Sequence, residues 1–454
     1  MKKPTTIKEL CEFIWYLEDK YDLLNFELDG VKVWQYSRMI IYYELAYKLN
    51  ILDPPNKSQK NIKMIFKNIF SLLKNAIIYN PLLNFRNVDN IIFTHNRSKK
   101  IDGEYIDIYT KYFIDDLKKS GKSYLCYEKP FHNQHLRKKD SNTVYLDFIL
   151  SISILYGKLY RIKNDKKLKK LKSIEDEINN LAQIKFKLLE LARKNTGRFK
   201  LSYQIYHYIF SKIKPKKVFA VVAYIYLGDM LKAAKDLKID TIEFQHGIIS
   251  KYHLGYSYPK KETLDYMTNT FYSWGNFWHN PINNIFDKKN IIEYGFDYFN
   301  KVKNNYKTIQ KKKNKIIIIS QTALGNEIMN YVSNIIESLK SYSIVYKLHP
   351  EEYTLYKSYR RFETLSQYNN IQFLENCDLY KEFAESEYQM GVFSTALYEG
   401  LNFQCKTIIF DLNGVEYIQE LIHEELAVLY NKQNDILKTI KTKIKVNSDG
   451  YKYI

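Results

Sequence analysis

Apolar residues recur at helical spacing over residues 7–21 and 34–49, with a turn at Leu28, Asp29 and Gly30 between the two stretches. Residues 61–78 repeat the pattern. Ile62, Ile65, Phe66, Ile69, Phe70, Leu73 and Ile77 share one face there, while Lys60, Lys63, Lys67 and Lys74 fall mostly elsewhere on the wheel. The period changes at Asn90. Residues 91–94 form a short β-rich run, a polar loop extends through Gly103, residues 109–119 return to helical spacing, and Gly121 ends that helix before a strand at 124–127. Residues 145–213 again read as helical, rich in Lys and Leu, with no catalytic spacing. A second unit follows: a strand at 218–223, a helix at 228–237, and a strand at 241–244 that ends in Gln245, His246 and Gly247. Strands at 270–274 and 291–294 continue it.

A polar, lysine-rich stretch at 300–314 reads as a linker, after which the alternation restarts. Ile316 to Ile319 are four consecutive β-branched residues, followed by a loop from Ser320 to Gly325 and a helix capped by Asn326 with Ile328, Val332, Ile335, Ile336 and Leu339 on one face. A strand at 343–347 runs into His349 and Pro350. Next come a strand at 371–374, a helix at 379–386, a strand at 389–393, a helix opened by Ser394 and Thr395, and a last strand at 407–410. Buried strands alternating with helices predict parallel sheets covered on both faces. The fold class expected is α/β, with two Rossmann-like domains facing across a cleft. The expected divisions are a helical segment at 1–85, domains at 86–299 and 315–430 joined by the 300–314 linker, and a tail at 431–454.

Length agrees with two cores, because 454 residues exceed the roughly 250–300 at which single cores stop growing. The longest apolar run, 218–227, is far short of the roughly 20 residues that cross a bilayer, and the basic start is followed by Lys8, Glu9 and Glu12 rather than an apolar signal core. A cytoplasmic protein is the expectation. Cys11, Cys126, Cys377 and Cys405 are scattered without C-x-x-C spacing, which speaks against a zinc site or a disulfide framework. The formal net charge is +20. Lysine runs of this kind are ordinary solvated faces as often as functional surfaces. The basic amphipathic stretch at 60–78 nevertheless suits anionic lipid headgroups and suggests peripheral attachment to the inner face of the membrane. No RNA- or DNA-binding motif accompanies the charge, so a nucleic-acid-binding protein stands as the distant alternative.

Ligands of open parallel sheets bind beyond the carboxyl ends of the strands. Ser394 and Thr395 sit at such an end and open a helix, where hydroxyls and unpaired N–H groups can meet a phosphate; a plain helix cap is the competing reading. His349 also ends a strand. It can hold the charge of a leaving phosphate or supply a proton, or make only a structural hydrogen bond. Their occurrence on successive strands of one unit favours the phosphate site, which Pro350, Lys347 and the loop residues Ser320, Gln321 and Thr322 would border. His246, with Gln245 and Gly247, ends a strand of the first unit, and His253 and Tyr256 follow closely. A neutral imidazole there can take a proton from a hydroxyl near pH 7. No D-x-D element stands in a metal-binding context, and neither a metal nor another cofactor is expected.

YKLHPEE from Tyr346, VFSTALYEGL from Val392 and CKTIIF from Cys405 resemble the HP and Ser/Thr motifs of GT-B-fold bacterial transferases of surface polysaccharides. These include sialyltransferases and the related CDP-glycerol glycerophosphotransferases. The resemblance implies that His349, Ser394 and Thr395 contact the donor phosphate and that Glu399 contacts the donor ribose. FQHGII from Phe244 is similar to the His-Gly element of polymer-forming glycerophosphotransferases, implying a base or acceptor contact at His246. FELDGVKVW from Phe26 resembles the Asp-Gly element beside the catalytic carboxylate of sialyltransferases, implying a role for Asp29. IEYGFDYFN from Ile292 resembles the crossover into the second GT-B domain. The function implied is transfer of a sugar from a nucleotide donor, CMP-linked by preference as with sialic acid, to a capsule, lipopolysaccharide or lipooligosaccharide acceptor. A nucleotide-sugar 2-epimerase and a CDP-polyol phosphotransferase are the alternatives within the same fold.

Overall fold

The computed structural model describes residues 2–54, 74–95, 98–101, 103–131 and 134–445. In chain order the first lobe contains β1 (Asn90–Phe93), the hairpin β2 (Lys99–Ile101) and β3 (Glu104–Ile106), β4 (Tyr124–Glu128), β5 (Thr143–Tyr145), β6 (Lys217–Val221), β7 (Asp240–Phe244), β8 (Thr270–Ser273) and β9 (Ile291–Glu293). Seven of these form a parallel sheet in the order β5-β4-β1-β6-β7-β8-β9. The second lobe contains β10 (Lys312–Ile319), β11 (Ser343–Lys347), β12 (Ile371–Leu374), β13 (Ser386–Gly391), β14 (Lys406–Phe410) and β15 (Ala427–Tyr430), parallel in the order β12-β11-β10-β13-β14-β15. Both sheets are doubly wound. The chain runs outward in one direction and then crosses to the other side, leaving a crevice beyond the strand ends between β1 and β6 in one lobe and between β10 and β13 in the other.

Alternation along single strands explains why both faces are covered. Ile316 and Ile318 enter one apolar core, and Ile317 and Ile319 enter another on the opposite face. In the first lobe Ile91 and Phe93 are divided from Ile92 in the same way. A run of apolar residues is what a strand buried on two sides requires.

The helices α1 (Ile7–Tyr21) and α2 (Val33–Lys48) are parts of this body, packed in one core with Leu171, Ile174, Phe186 and Phe199. Glu18 and Arg38, both nearly inaccessible, form a two-pronged ion pair at 2.6 and 2.9 Å, and Trp34 Nε1 donates to the same carboxylate at 2.7 Å. The Arg38 guanidinium also donates to the carbonyls of Leu254 and Ser257. In this way α2 is fastened to the loop that carries His253.

Several expectations need correction. The polar loop after β1 contains the hairpin β2–β3, whose three-residue strands are too short and too charged to show a period. β5 and β15 escaped the pattern too, so 407–410 is not the last strand. Asn326 is not a cap: the helix Gly325–Ile335 begins earlier, with Leu324 at the N-cap position. The stretch 300–314 is not a bare linker, since it contains the end of the helix Asp297–Val302 and the start of β10. Beyond residue 430 the helix Ile436–Lys441 buries Ile436 and Ile440 in the second core. Of the basic helix expected at 60–78, only residues 74–78 lie within the described residues, and these are helical; Lys60, Lys63 and Lys67 lie outside them.

Candidate active site

The strand ends of both sheets open onto one cleft of about 1460 Å³. On the second lobe its wall is built around the turn from β13 into the helix Thr395–Asn402. Ser394 is the N-cap in extended conformation, its Oγ accepting from Ala396 N at 3.3 Å, and Ser394, Thr395 and Ala396 line the cleft at the positive end of the helix, where an anion is favoured. Gln321, in the loop after β10, brackets the Phe393 backbone: its Nε2 donates to the carbonyl, and its Oε1 accepts from the amide at 3.1 Å. The loop after one central strand thereby sets the turn at Ser394 after the other.

His349 is held as tightly. Glu351 N donates to its Nδ1 at 3.3 Å, and Thr322 Oγ1 lies 2.7 Å from the same atom. A nitrogen that accepts carries no proton, so the proton sits on Nε2, the tautomer a phosphate contact requires. The His349 backbone N–H donates at 2.7 Å to Glu352, a fully buried carboxylate that also accepts from Ser320 at 2.9 Å and Tyr359 at 3.3 Å. Burial raises the pKa of Glu352. A Cβ on Gly325 would fall 2.1 Å from Glu352 Oε1, so any side chain there would displace the carboxylate or the Tyr359 ring beside it. The Lys347 ammonium is committed to the carbonyls of Leu348 and Glu375, each at 2.6 Å. One turn into the helix, half-buried Glu399 has its pKa raised to about 7 by desolvation, against the lowering influence of Lys99 and the Tyr380 hydroxyl.

The facing wall comes from the first lobe. His246 follows β7, and its Nε2 lies 3.2 Å from the Tyr224 hydroxyl, which is 3.3 Å from His253 Nε2. Desolvation, with His95 and His253 close by, holds His246 well below 6.5; desolvation lowers His253 to about 4. Both imidazoles are therefore neutral at pH 7. Beneath them Glu243 is fully buried, and its Oε1 accepts from Tyr256 at 2.6 Å and from Ala223 N at 2.8 Å. The second of these bonds anchors a strained loop, because Val222 and Tyr226 adopt φ of 60° and 54°, and a β-branched residue there costs about 1–3 kcal/mol. The lobes approach closely at this point: a Cβ on Gly247 would stand 3.5 Å from Thr395 Oγ1.

Of the residues expected from sequence, Ser320, Lys347, His349, Pro350, Ser394, Thr395 and Glu399 line the cleft from one side, and His246, Gly247 and His253 from the other. Gln321 and Thr322 lie just behind as supports. Gln245 and Tyr256 are buried; Gln245 accepts from Trp274 N at 2.8 Å, so neither touches the cleft. Asp29 is a correction: it sits at a left-handed turn outside the cleft, accepting from the Tyr160 hydroxyl at 2.8 Å, and its Asp-Gly spacing serves that turn. Sequence reasoning missed His95, Lys99, Tyr224, Tyr380 and Tyr417, and the face of α2 that carries Met39, Tyr43 and Tyr47, all of which line the cleft. His95 follows β1 as His246 follows β7, so the same strand-end rule would have found it. The tyrosines were hidden among 42.

No family model matches the sequence, and no curated protein does. Among solved structures the chain is similar to the UDP-GlcNAc 2-epimerase of Methanocaldococcus jannaschii, with 12% identity over 80% of this chain and 95% of the other at a TM-score of 0.49. It is also similar to Acinetobacter baumannii MurG, with 11% identity, coverages of 78% and 91%, and a TM-score of 0.45. A third similar structure is the UDP-GlcNAc 2-epimerase of Neisseria meningitidis bound to UDP-GlcNAc, with 13% identity, coverages of 75% and 87%, and a TM-score of 0.43.

Proposed function

We propose that the protein is a glycosyltransferase of GT-B type that moves a sugar from a nucleotide-activated donor, CMP-linked by preference, to a capsule, lipopolysaccharide or lipooligosaccharide acceptor without a metal ion. The observation that carries the reading is the meeting of two chemistries across one cleft: a phosphate-accepting helix terminus beside His349 on one wall, and neutral His246 on the other, with Gly247 and Thr395 nearly touching. His246 takes the proton of the acceptor hydroxyl as the new bond to the sugar forms. The bond from the sugar to the donor phosphate breaks, and the charge left on that phosphate is held by the N–H groups and hydroxyls of Ser394 and Thr395 and by the Nε2 proton of His349. Glu399 and the Tyr380 hydroxyl, deeper along the same helix wall, contact the donor's nucleoside. The acceptor is carried at the inner face of the membrane, where the chain's positive charge favours anionic lipid.

The test is turnover of CMP-, CDP-, UDP- and GDP-linked donors with and without glycan acceptors, after a thermal-shift screen for the nucleotide that raises Tm. Acceptor-dependent release of nucleotide, unaffected by EDTA and lowered at least a hundredfold in His246→Ala and His349→Ala, is the expected result. Change of the sugar with donor alone would give the site to a 2-epimerase, and transfer of a polyol phosphate would give it to a phosphotransferase.

A further inference from the structure

Three residues of the first-lobe wall share one hydroxyl. Tyr224 stands in the loop after β6, its oxygen 3.2 Å from His246 Nε2 and 3.3 Å from His253 Nε2, and all three residues line the cleft. The fold holds them in place. The left-handed residues Val222 and Tyr226 flank Tyr224, Ala223 N is tied to Glu243, and the Tyr224 ring meets Tyr256 edge to face at 4.9 Å. A Cβ on Gly255 would stand 2.9 Å from Tyr224 Cγ and 3.0 Å from His253 Cε1, so both rings rest on bare backbone.

One hydroxyl has one proton to give. A neutral imidazole donates from one nitrogen and accepts at the other. Both rings are neutral at pH 7, and burial keeps the Tyr224 hydroxyl protonated. Tyr224 therefore donates to one histidine and accepts from the other, which forces the two imidazoles into opposite tautomers. At the far end of each ring, Nδ1 is buried and has no hydrogen-bond partner. Buried polar atoms are nearly always paired, so an unpaired nitrogen in the wall of a cleft points to a ligand that supplies the missing partner. Two orders satisfy the chain. The one that suits a base has His246 Nε2 donating to Tyr224 and Tyr224 donating to His253 Nε2, which puts the His253 proton on Nδ1 and leaves His246 Nδ1 bare. The backbone carbonyl of His253 favours a proton on its own ring, whereas His95 and His253 oppose charge on His246.

We propose that Tyr224 and His253 are positioning residues for His246: they fix its tautomer so that Nδ1 receives the acceptor's proton, and they pass the resulting charge on to His253. The inference rests on the reading of His246 as the base. As the acceptor O–H bond breaks, its proton goes to His246 Nδ1, the Nε2 proton of His246 goes to the Tyr224 oxygen, and the Tyr224 proton goes to His253 Nε2. His246 and Tyr224 end neutral, and His253 carries the positive charge. That charge then lies one ring further from a sugar carbon that becomes electron-poor as its bond to phosphate breaks. After the product leaves, the reverse shift and loss of the His246 Nδ1 proton to water restore the starting state.

The experiment is nitrogen-15 NMR of the full chain labelled at histidine, correlating ring nitrogens with ring carbon-bound protons at pH 7 without ligand. Signals are assigned by their loss in His246→Gln and His253→Gln. The expected result is a proton on Nε2 of His246 and on Nδ1 of His253. Both rings in one tautomer, or the reverse order, would overturn the proposal whatever the protein turns over. Tyr224→Phe keeps the ring, and it should abolish the order and lower kcat at least tenfold at unchanged KM for the donor found in the turnover screen. His253→Gln separates the two roles: its amide oxygen still accepts from Tyr224, so His246 should keep its tautomer while kcat falls at least tenfold. Unchanged kcat in Tyr224→Phe would remove the positioning role, and unchanged kcat in His253→Gln would remove the transfer of charge. Opposite tautomers in a protein with no acceptor-dependent turnover would support the ordered chain and count against the transferase reading alone.

Discussion

Removing the Glu352 carboxylate separates positioning of His349 from the chemistry of its ring. The carboxylate is fully buried and takes three donors: the His349 N–H, the Ser320 hydroxyl and the Tyr359 hydroxyl. Hydrogen bonds to a charged group contribute about 1.5–3 kcal/mol each, and donors left buried and unpaired carry a desolvation cost of about 1–3 kcal/mol. Against these stands the cost of holding the carboxylate itself in a dry site, the cause of its raised pKa. The hydroxyls can turn toward other acceptors, as Ser320 can toward Tyr346 at 3.2 Å, but the backbone N–H cannot turn. Glu352→Ala should therefore cost about 3–4 kcal/mol. Glu352→Gln should cost only about 1 kcal/mol, because its amide oxygen can still accept from His349 while its NH₂ donates to a reoriented hydroxyl. Urea unfolding followed by fluorescence measures both as shifts in midpoint at unchanged slope. Turnover of Glu352→Ala, measured well below its melting temperature, should fall by more than tenfold through kcat, since the imidazole remains but its backbone anchor is gone. An alanine variant with the unfolding midpoint and kcat of the unmodified protein would refute the reasoning.

Three other outcomes follow from the same geometry. Gly247→Val adds γ-methyl groups beyond a Cβ position already 3.5 Å from Thr395 Oγ1, so kcat/KM should drop at least tenfold while the unfolding midpoint hardly moves. Arg38→Met leaves Glu18 buried without its partner and should cost about 3–5 kcal/mol by urea unfolding, and adding Glu18→Leu should recover part of that loss. Glu243→Gln removes a carboxyl whose pKa rises from 4.5 to about 7 on folding. A raised folded pKa gives stability that is complete below the unfolded value and lost as pH climbs through the folded one. Stability of the unmodified protein relative to the variant should thus decline by about 3 kcal/mol between pH 4.5 and 7.5. His246 and His253, both lowered, act in the opposite direction, losing stability as pH falls below 6.5, so the comparison must be with the variant rather than with a bare pH curve.

What could be read in the residues alone was whatever writes a period or ends one. Ile316 to Ile319 and the apolar run from Val218 announce central strands because a strand covered on both faces needs no alternation. Strand ends marked by His349, by Ser394 with Thr395, and by Gln245 to Gly247 were visible because a polar pair interrupts such a run. β5 and the β2–β3 hairpin have three residues per strand and write no period. Glu352 was invisible as a positioning residue for a different reason: in Pro-Glu-Glu either carboxylate is equally suited to solvent, and only packing beneath Ser320 and Tyr359 selects the second. Asp29 shows the reverse error, where a short motif matched but its left-handed backbone had a sufficient local cause.

α2 connects these points. Its Arg38 grips the loop of His253, its Met39, Tyr43 and Tyr47 line the cleft, and its Tyr42 hydroxyl meets Tyr417 of the second lobe at 2.5 Å. Tyr417 in turn packs on Phe393, the residue whose backbone Gln321 brackets just before the turn at Ser394. One helix from the start of the chain thus touches the supports of the imidazole on one wall and of the helix terminus on the other. Its partly buried tyrosines at the cleft and its buried Arg38 explain why its sequence shows no clean amphipathic division: one side enters the core, another lines the cleft, and only positions such as Glu44 and Lys48 are exposed. The separation between the two walls is consequently set by a segment that neither sheet contains, and a change at Tyr42, which meets Tyr417, should alter how the two walls meet without altering His246, His349, Ser394 or Thr395 themselves.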